Sequence, residues 1–199
     1  AIWLSGMLGK NPQAANQIAL NLSSMTFMVG IGLGVAAMVR VGNQKGLSDF
    51  VSLRRIAFSI LLLTLLIEIV FASLFIILRE WLPTVYLGGS DVLNTIDNAE
   101  VILIASKILL VAALFQIFDG LQVVILGALR GLQDVKIPAF ITFIAYWIIG
   151  FPICFYLGLY TPLKSVGIWI GLFVGLFSAA IMLYLRFNYL SKKLILNKI

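Results

Sequence analysis

Five stretches of this chain are apolar over more than twenty residues each, and no other feature limits its fold as much. They lie near residues 14–40, 53–79, 99–127, 135–158 and 165–188. At 1.5 Å per residue, each is long enough as a helix to cross a hydrocarbon layer of about 30 Å. Composition agrees: 62% of residues are hydrophobic and 11% charged, where soluble domains are roughly half apolar and a quarter charged. A water-soluble fold has no interior large enough to hide so much apolar side chain. The expected fold is all-α, a polytopic transmembrane helix bundle.

Short links rich in helix breakers separate the spans. They are GKNPQ (9–13), VGNQKGLSD (41–49), LPTVYLGGSDVLNT (82–95), RGLQDVKIP (130–138) and LGLYTPLKS (157–165). Residues 1–9 are too short to span and look like the last turns of a helix whose beginning is missing. With Ala1 in place of an initiator Met, the chain is expected to be a fragment or a processed chain. Residues 189–199 are expected to form a tail. No link is long enough to hold a second domain.

Charge sets the orientation. Arg40, Lys45, Arg54, Arg55, Arg130, Lys136, Arg186, Lys192, Lys193 and Lys198 fall on one side if each helix crosses once. The other side has Lys10, Arg79 and Lys164, with Glu80, Asp91, Asp97 and Glu100 along its long link. The basic side is therefore cytoplasmic, and the tail with it. The net charge of +6 comes from these flanks, with no basic face or aromatic platform, so nucleic acid is not an expected partner. The lipid bilayer is.

Two sequence features bear on packing. Gly167, Gly171, Gly175 and Ala179 recur every four residues, giving a flat stripe that another helix can approach closely. The stripe serves either static packing or a contact that slides. Pro152 stands inside the fourth span, where it takes the hydrogen bond from the carbonyl of Ile148. That predicts either a static kink or a hinge.

Polar groups inside the spans carry the functional argument. Asp119 lies in LLVAALFQIFDGLQVVILGALRG (109–131), where nothing nearby in sequence neutralises it. An acid at the middle of a bilayer costs about 3 kcal/mol, so such residues face protein or water. Phe115, Gln116, Asp119, Gln122 and Val123 group by helical spacing, which makes a polar patch. Two readings stand for Asp119: it couples a proton or sodium ion to movement, or it pairs with a base or backbone donor elsewhere in the bundle. Lys107, about 18 Å away along the axis, is too far to be that partner. Glu68, midway along the second span, either bonds within the bundle or helps line a pathway. Gln17, Asn21 and Ser24 form a polar stripe suited to a pathway wall or to bonds between helices.

Enzyme chemistry finds no support. There is no histidine, only one cysteine (Cys154), no phosphate-binding loop and no metal-ligand cluster. No cofactor is expected, and any pumping would draw on an ion gradient or another subunit.

The segments NPQAANQIALNLSSMTFMVGIGLGVAAMVRVGNQKG (11–46) and FQIFDGLQVVILGALRGLQDVKIPAF (115–140) resemble multidrug and toxic compound extrusion transporters of the bacterial type. The resemblance covers nearly the whole chain. It implies a twelve-helix, two-lobe transporter of the bacterial inner membrane, with this chain as its C-terminal lobe. The expected activity is exchange of a cationic or amphiphilic compound for protons or sodium. The expected partners are that small molecule and the missing N-terminal lobe. In the family an acid of the tenth helix takes part in cation binding, and Asp119 occupies that place, which also makes it the possible sodium ligand. A tyrosine one turn earlier in the family is Phe115 here, so that hydroxyl is lost. A lipid-linked oligosaccharide flippase and a non-transporting membrane scaffold remain as alternatives.

Overall fold

The computed structural model of the protein describes residues 2–87 and 96–196. Its elements are α1 (Ile2–Met7), α2 (Lys10–Gly46), α3 (Phe50–Ile77), α4 (Trp81–Tyr86), α5 (Ile96–Gly131), α6 (Lys136–Phe143), a π-helical segment (Ile144–Gly150), α7 (Phe151–Leu159) and α8 (Lys164–Leu196). Five helical runs are long and apolar enough to cross a membrane, with α6, the π segment and α7 forming one of them. Asp91, Lys198, the side chain of Asp97 and residues 88–95 of the long link lie outside the described residues.

α2 and α5 form the centre of the bundle. Their residues meet in the same order along both helices: Gly30 at Gly120, Gly34 at Val123 and Gly127, and Gly42 at Gly131. The two therefore run parallel with their backbones in contact. A Cβ built on Gly127 would fall on the carbonyl oxygen of Gly34, and one on Gly34 would sit 2.9 Å from Val123 Cγ1. Only glycine allows this approach, which brings dispersion contacts that lipid cannot supply. The stripe in α8 works the same way. Gly171 abuts the backbone of Cys154, Gly167 meets the carbonyl of Leu157, and Gly175 meets Gly150.

Along the bundle axis the core is divided. One apolar cluster holds Ala15, Leu22, Phe75, Ile108, Ala113 and Trp169. A second, toward the basic end, holds Val41, Leu53, Leu61, Val124, Leu129 and Phe187. Between them runs a polar waist. In α3 it contains Thr64 and Glu68, in α5 Gln116 and Gln122, and in α2 Ser23 and Thr26, all buried. The outward side of α3 is apolar and exposed at Leu62, Leu66, Ile69, Val70 and Ile77, as a lipid-facing surface should be.

Several boundaries differ from the sequence reading. α2 begins at Lys10, with Pro12 in its first turn, where a missing N–H costs little. It also continues through 41–46, where two glycines suggested a turn. Gly42 lies against Gly131, and Lys45 Nζ donates to the carbonyl of Leu132 at 2.8 Å and to Gln133 Oε1 at 3.0 Å. Packing thus outweighs the intrinsic cost of glycine in a helix. The turn is shorter, with Ser48 at φ 57° and Asp49 capping α3 through Ser52 N at 3.1 Å.

α8 likewise runs on to Leu196, so residues 189–196 are helix where a tail was expected. Arg54 fixes that extension by donating to Asn188 Oδ1 at 2.5 Å and to Ser191 Oγ at 3.4 Å. The long link also contains the unanticipated α4. The perturbation expected at Pro152 takes the form of a π-helical stretch ending two residues before it. A shifted hydrogen-bond register is a common response where the ordinary ladder is broken.

Candidate functional site

Asp119 projects from α5 into a cavity of about 330 Å³ within the waist. α5 also contributes Gln122, Val123, Gly127 and, one end along, Arg130. α2 contributes Phe27, Ile31, Val35 and Met38, and the π segment contributes Tyr146. The close α2–α5 contact floors the cavity, and the π segment closes one side. Tyr146 Oη donates to Gln122 Oε1 at 2.5 Å, which fixes the glutamine amide beside the acid. Asp119 is half-buried. Among the described residues it has no hydrogen-bond or ion-pair partner. Arg130 lies eleven residues on, about 16 Å along the axis, and does not neutralise it. A lone carboxylate beside a phenol and an amide can take up a proton or contribute to a small cation's oxygen shell. Among the described residues no group of three or more His, Cys, Asp or Glu gathers into a metal site.

Of the residues grouped with Asp119 from sequence, Gln122 and Val123 share this cavity, whereas Phe115 and Gln116 do not line it. Phe115 turns into the apolar core and packs edge-on against Trp169, with centroids 5.3 Å apart. Trp169 Nε1 in turn donates to Asn16 Oδ1 at 3.0 Å. Gln116 is buried with both amide atoms unpartnered. Glu68 is sealed between α3, α2 and α5 and does not line the cavity. The physical reason is axial: Phe115 and Gln116 share the face of Asp119 but stand about one turn, ~5 Å, farther along α5, toward the apolar cluster around Trp169, while Glu68 comes from another helix. Gln17, Asn21 and Ser24 are exposed on α2 and bond along their own helix: Gln17 Nε2 donates to Asn21 Oδ1 at 3.3 Å, and Ser24 Oγ to the carbonyl of Leu20 at 2.7 Å. By helical spacing their face continues to Ile31, Val35 and Met38, so it leads toward the cavity without forming its wall.

Tyr146 is the residue that sequence reasoning missed. Its signal was present: a phenol in the middle of a span rather than at a helix end, where interfacial tyrosines gather. Its hydroxyl also places oxygen in the cavity although Phe115 offers none.

Comparison with known proteins identifies the family. The MatE family profile matches residues 1–156. The chain belongs to the MatE family. This MatE chain is 42% identical over 179 residues to a probable multidrug resistance protein NorM of Rhodopseudomonas palustris, covering 90% of the chain and 37% of that relative. It is 38% identical over 187 residues to the multidrug resistance protein NorM of Photobacterium profundum, covering 92% and 39%. The fold matches the crystal structure of the eukaryotic MATE transporter AtDTX14 with a TM-score of 0.82 at 23% identity, over 97% of this chain and 43% of that one. It matches a MATE structure in the bent conformation equally well, with a TM-score of 0.82 at 15% identity, over 95% and 40%. The chain thus spans about two-fifths of the length of the relatives it matches. The resemblance read from residues 11–46 and 115–140 falls inside the matched region, and the protein is a multi-pass membrane protein.

Proposed function

We propose that this MatE chain acts as the C-terminal lobe of a multidrug exporter of the bacterial inner membrane, exchanging a cationic or amphiphilic compound for protons or sodium at Asp119. The observation that carries the reading is an unpaired carboxylate within a membrane-spanning helix, facing a cavity that an amide and a phenol also line. Uptake of a cation changes the charge on that wall. The altered charge then biases the bundle between its two openings, as an ion must if it is to drive exchange. A lobe of five complete spans presents only half of an enclosing cavity, so the partner lobe supplies the facing wall. The names of the NorM relatives support multidrug export. Tyr146 and Gln122 provide neutral oxygens near the acid, which suits a proton or a partly dehydrated sodium ion alike.

The test is Asp119→Asn in the whole transporter, reconstituted in vesicles. Dye efflux driven by an imposed ion gradient should fall by roughly tenfold or more, with membrane insertion unchanged. Full ion-dependent efflux by the variant would refute the reading. A lipid-precursor defect with normal dye efflux would point to a flippase, and retained partner binding without transport to a scaffold.

A further inference from the structure

Glu68 lies on the other side of the wall from Asp119. Its residue is 1% exposed. Oε2 has no hydrogen-bond partner, and no base pairs with either oxygen among the described residues. The carboxyl is pressed against the helix backbones: a Cβ built on Gly120 would stand 2.5 Å from Glu68 Oε1, and one on Gly30 3.8 Å. Glu68 therefore lies over the Gly30–Gly120 contact of the two central helices, and Gly120 directly follows Asp119 in sequence.

Charges on the surrounding elements do not reach it. On α2, Arg40 is ten residues beyond Gly30, about 15 Å along the axis, and Lys10 and Lys45 are farther. On α5, Arg130 is ten residues beyond Gly120, and Lys107 and Glu100 lie toward the opposite end. On α8, Lys164, Arg186, Lys192 and Lys193 sit near the helix ends. Tyr184 contacts Phe58, ten residues down α3 from Glu68. On α3 itself, Arg54 and Arg55 are more than three turns away. Among the described residues, Asp119 is the sole charged neighbour at this level. Around Glu68 the waist otherwise offers neutral groups, including two more unpartnered buried side chains: Gln116, one turn from Gly120 on the same face of α5, and Ser23 on α2, two turns from Gly30.

A bare carboxylate sealed in this position would have no compensating charge and an incomplete set of donors, which low-dielectric surroundings penalise heavily. A hydrated or partly dehydrated metal ion would need room and several oxygens. The glycine contacts leave no such room beside Oε1.

We infer that Glu68 is a second proton-carrying group, closed off between α2, α3 and α5, and that it exchanges its proton with water only when α3 separates from the Gly30–Gly120 contact. The proton leaves one carboxyl oxygen for water on opening and returns to the same carboxyl before the helices repack. Asp119 can load from the cavity at any time, whereas Glu68 loads only once per conformational cycle. The site does not depend on the proposed export activity, but its use in a transport cycle rests on that reading.

Infrared difference spectra of the whole transporter in lipid vesicles, recorded across a step in pH, test this directly. Among the carboxylic C=O bands of the wild type, two should belong to Glu68 and Asp119. Glu68→Gln should remove one and keep the other, and Asp119→Asn should remove the complementary band. Glu68→Met, close in volume and unable to ionise, serves as a second variant. If Glu68→Gln inserts normally and leaves both bands intact, the inference is overturned. It is equally overturned if neither neutral variant inserts, because a group that packs in its proton-carrying form has no need of charge for folding. Loss of the Glu68 band in a protein that shows no efflux would uphold the site while removing the transporter reading.

Discussion

Asp119 and Gly120 are consecutive, yet the two faces of α5 they mark meet very different surroundings. On one face a carboxylate opens onto a cavity of about 330 Å³ beside Tyr146 and Gln122. On the other a carboxylate, Glu68, is closed in by glycine backbone and lipid-facing helix. Both acids sit in the same polar waist between the same two apolar clusters. What separates them is one helix and a rotation of about 100°. Access to an acid within a membrane is thus decided by which helix face carries it. Depth and composition, which the two share, do not decide it.

The largest expected effect comes from breaking the wall itself. Gly127→Leu would drive a side chain into the backbone of α2 at Gly34. Overpacking at a backbone contact should cost about 3 kcal/mol or more, read as loss of folded protein in detergent melts. Gly120→Ala is gentler, since its Cβ meets the flexible end of Glu68. It should destabilise by about 2 kcal/mol, and combining it with Glu68→Ala should recover at least half of that in a double-mutant cycle.

A third measurement sharpens the contrast without disturbing the fold. With Cys154 replaced by alanine, Asp119→Cys should react with a water-soluble thiol reagent at least about tenfold faster than Glu68→Cys, a difference near 1.4 kcal/mol in accessibility. Equal rates would erase the distinction between the faces. The smallest effect is that of Tyr146→Phe, which removes one side-chain hydrogen bond to Gln122. It should cost about 1 kcal/mol of stability, and its effect should be confined to the cavity side.

Much of the architecture was legible because lipid imposes it: apolar runs of spanning length leave helices as the only economical fold. The glycine stripe of α8 was legible for the same reason, and its partners are the π segment and α7. Helix ends were less so. Gly42 and Gly46 look like breakers in sequence, but Gly42 is a contact point with Gly131 and Lys45 binds the end of α5. At the site, Asp119 stood out because an acid in an apolar run has few explanations. Its surroundings did not, because Tyr146 comes from another helix and Phe115 turns inward to Trp169. Periodicity assigns a residue to a face. It does not say what that face meets.

The length of α2, α5 and α8 matters in a further way. At 37, 36 and 33 residues, each runs about 50 Å or more, well beyond a hydrocarbon layer of about 30 Å. Their basic ends are clamped to one another and to α3: Lys45 to Leu132, Arg186 to Asp134 at 2.9 Å, and Arg54 to Asn188. Rods bound together at one end pivot as a unit. Asn11 bonds Glu100 and Trp169 bonds Asn16 at the far end, so a tilt of the whole unit by only ~10° sweeps that end through ~9 Å, a displacement comparable to the width of a helix.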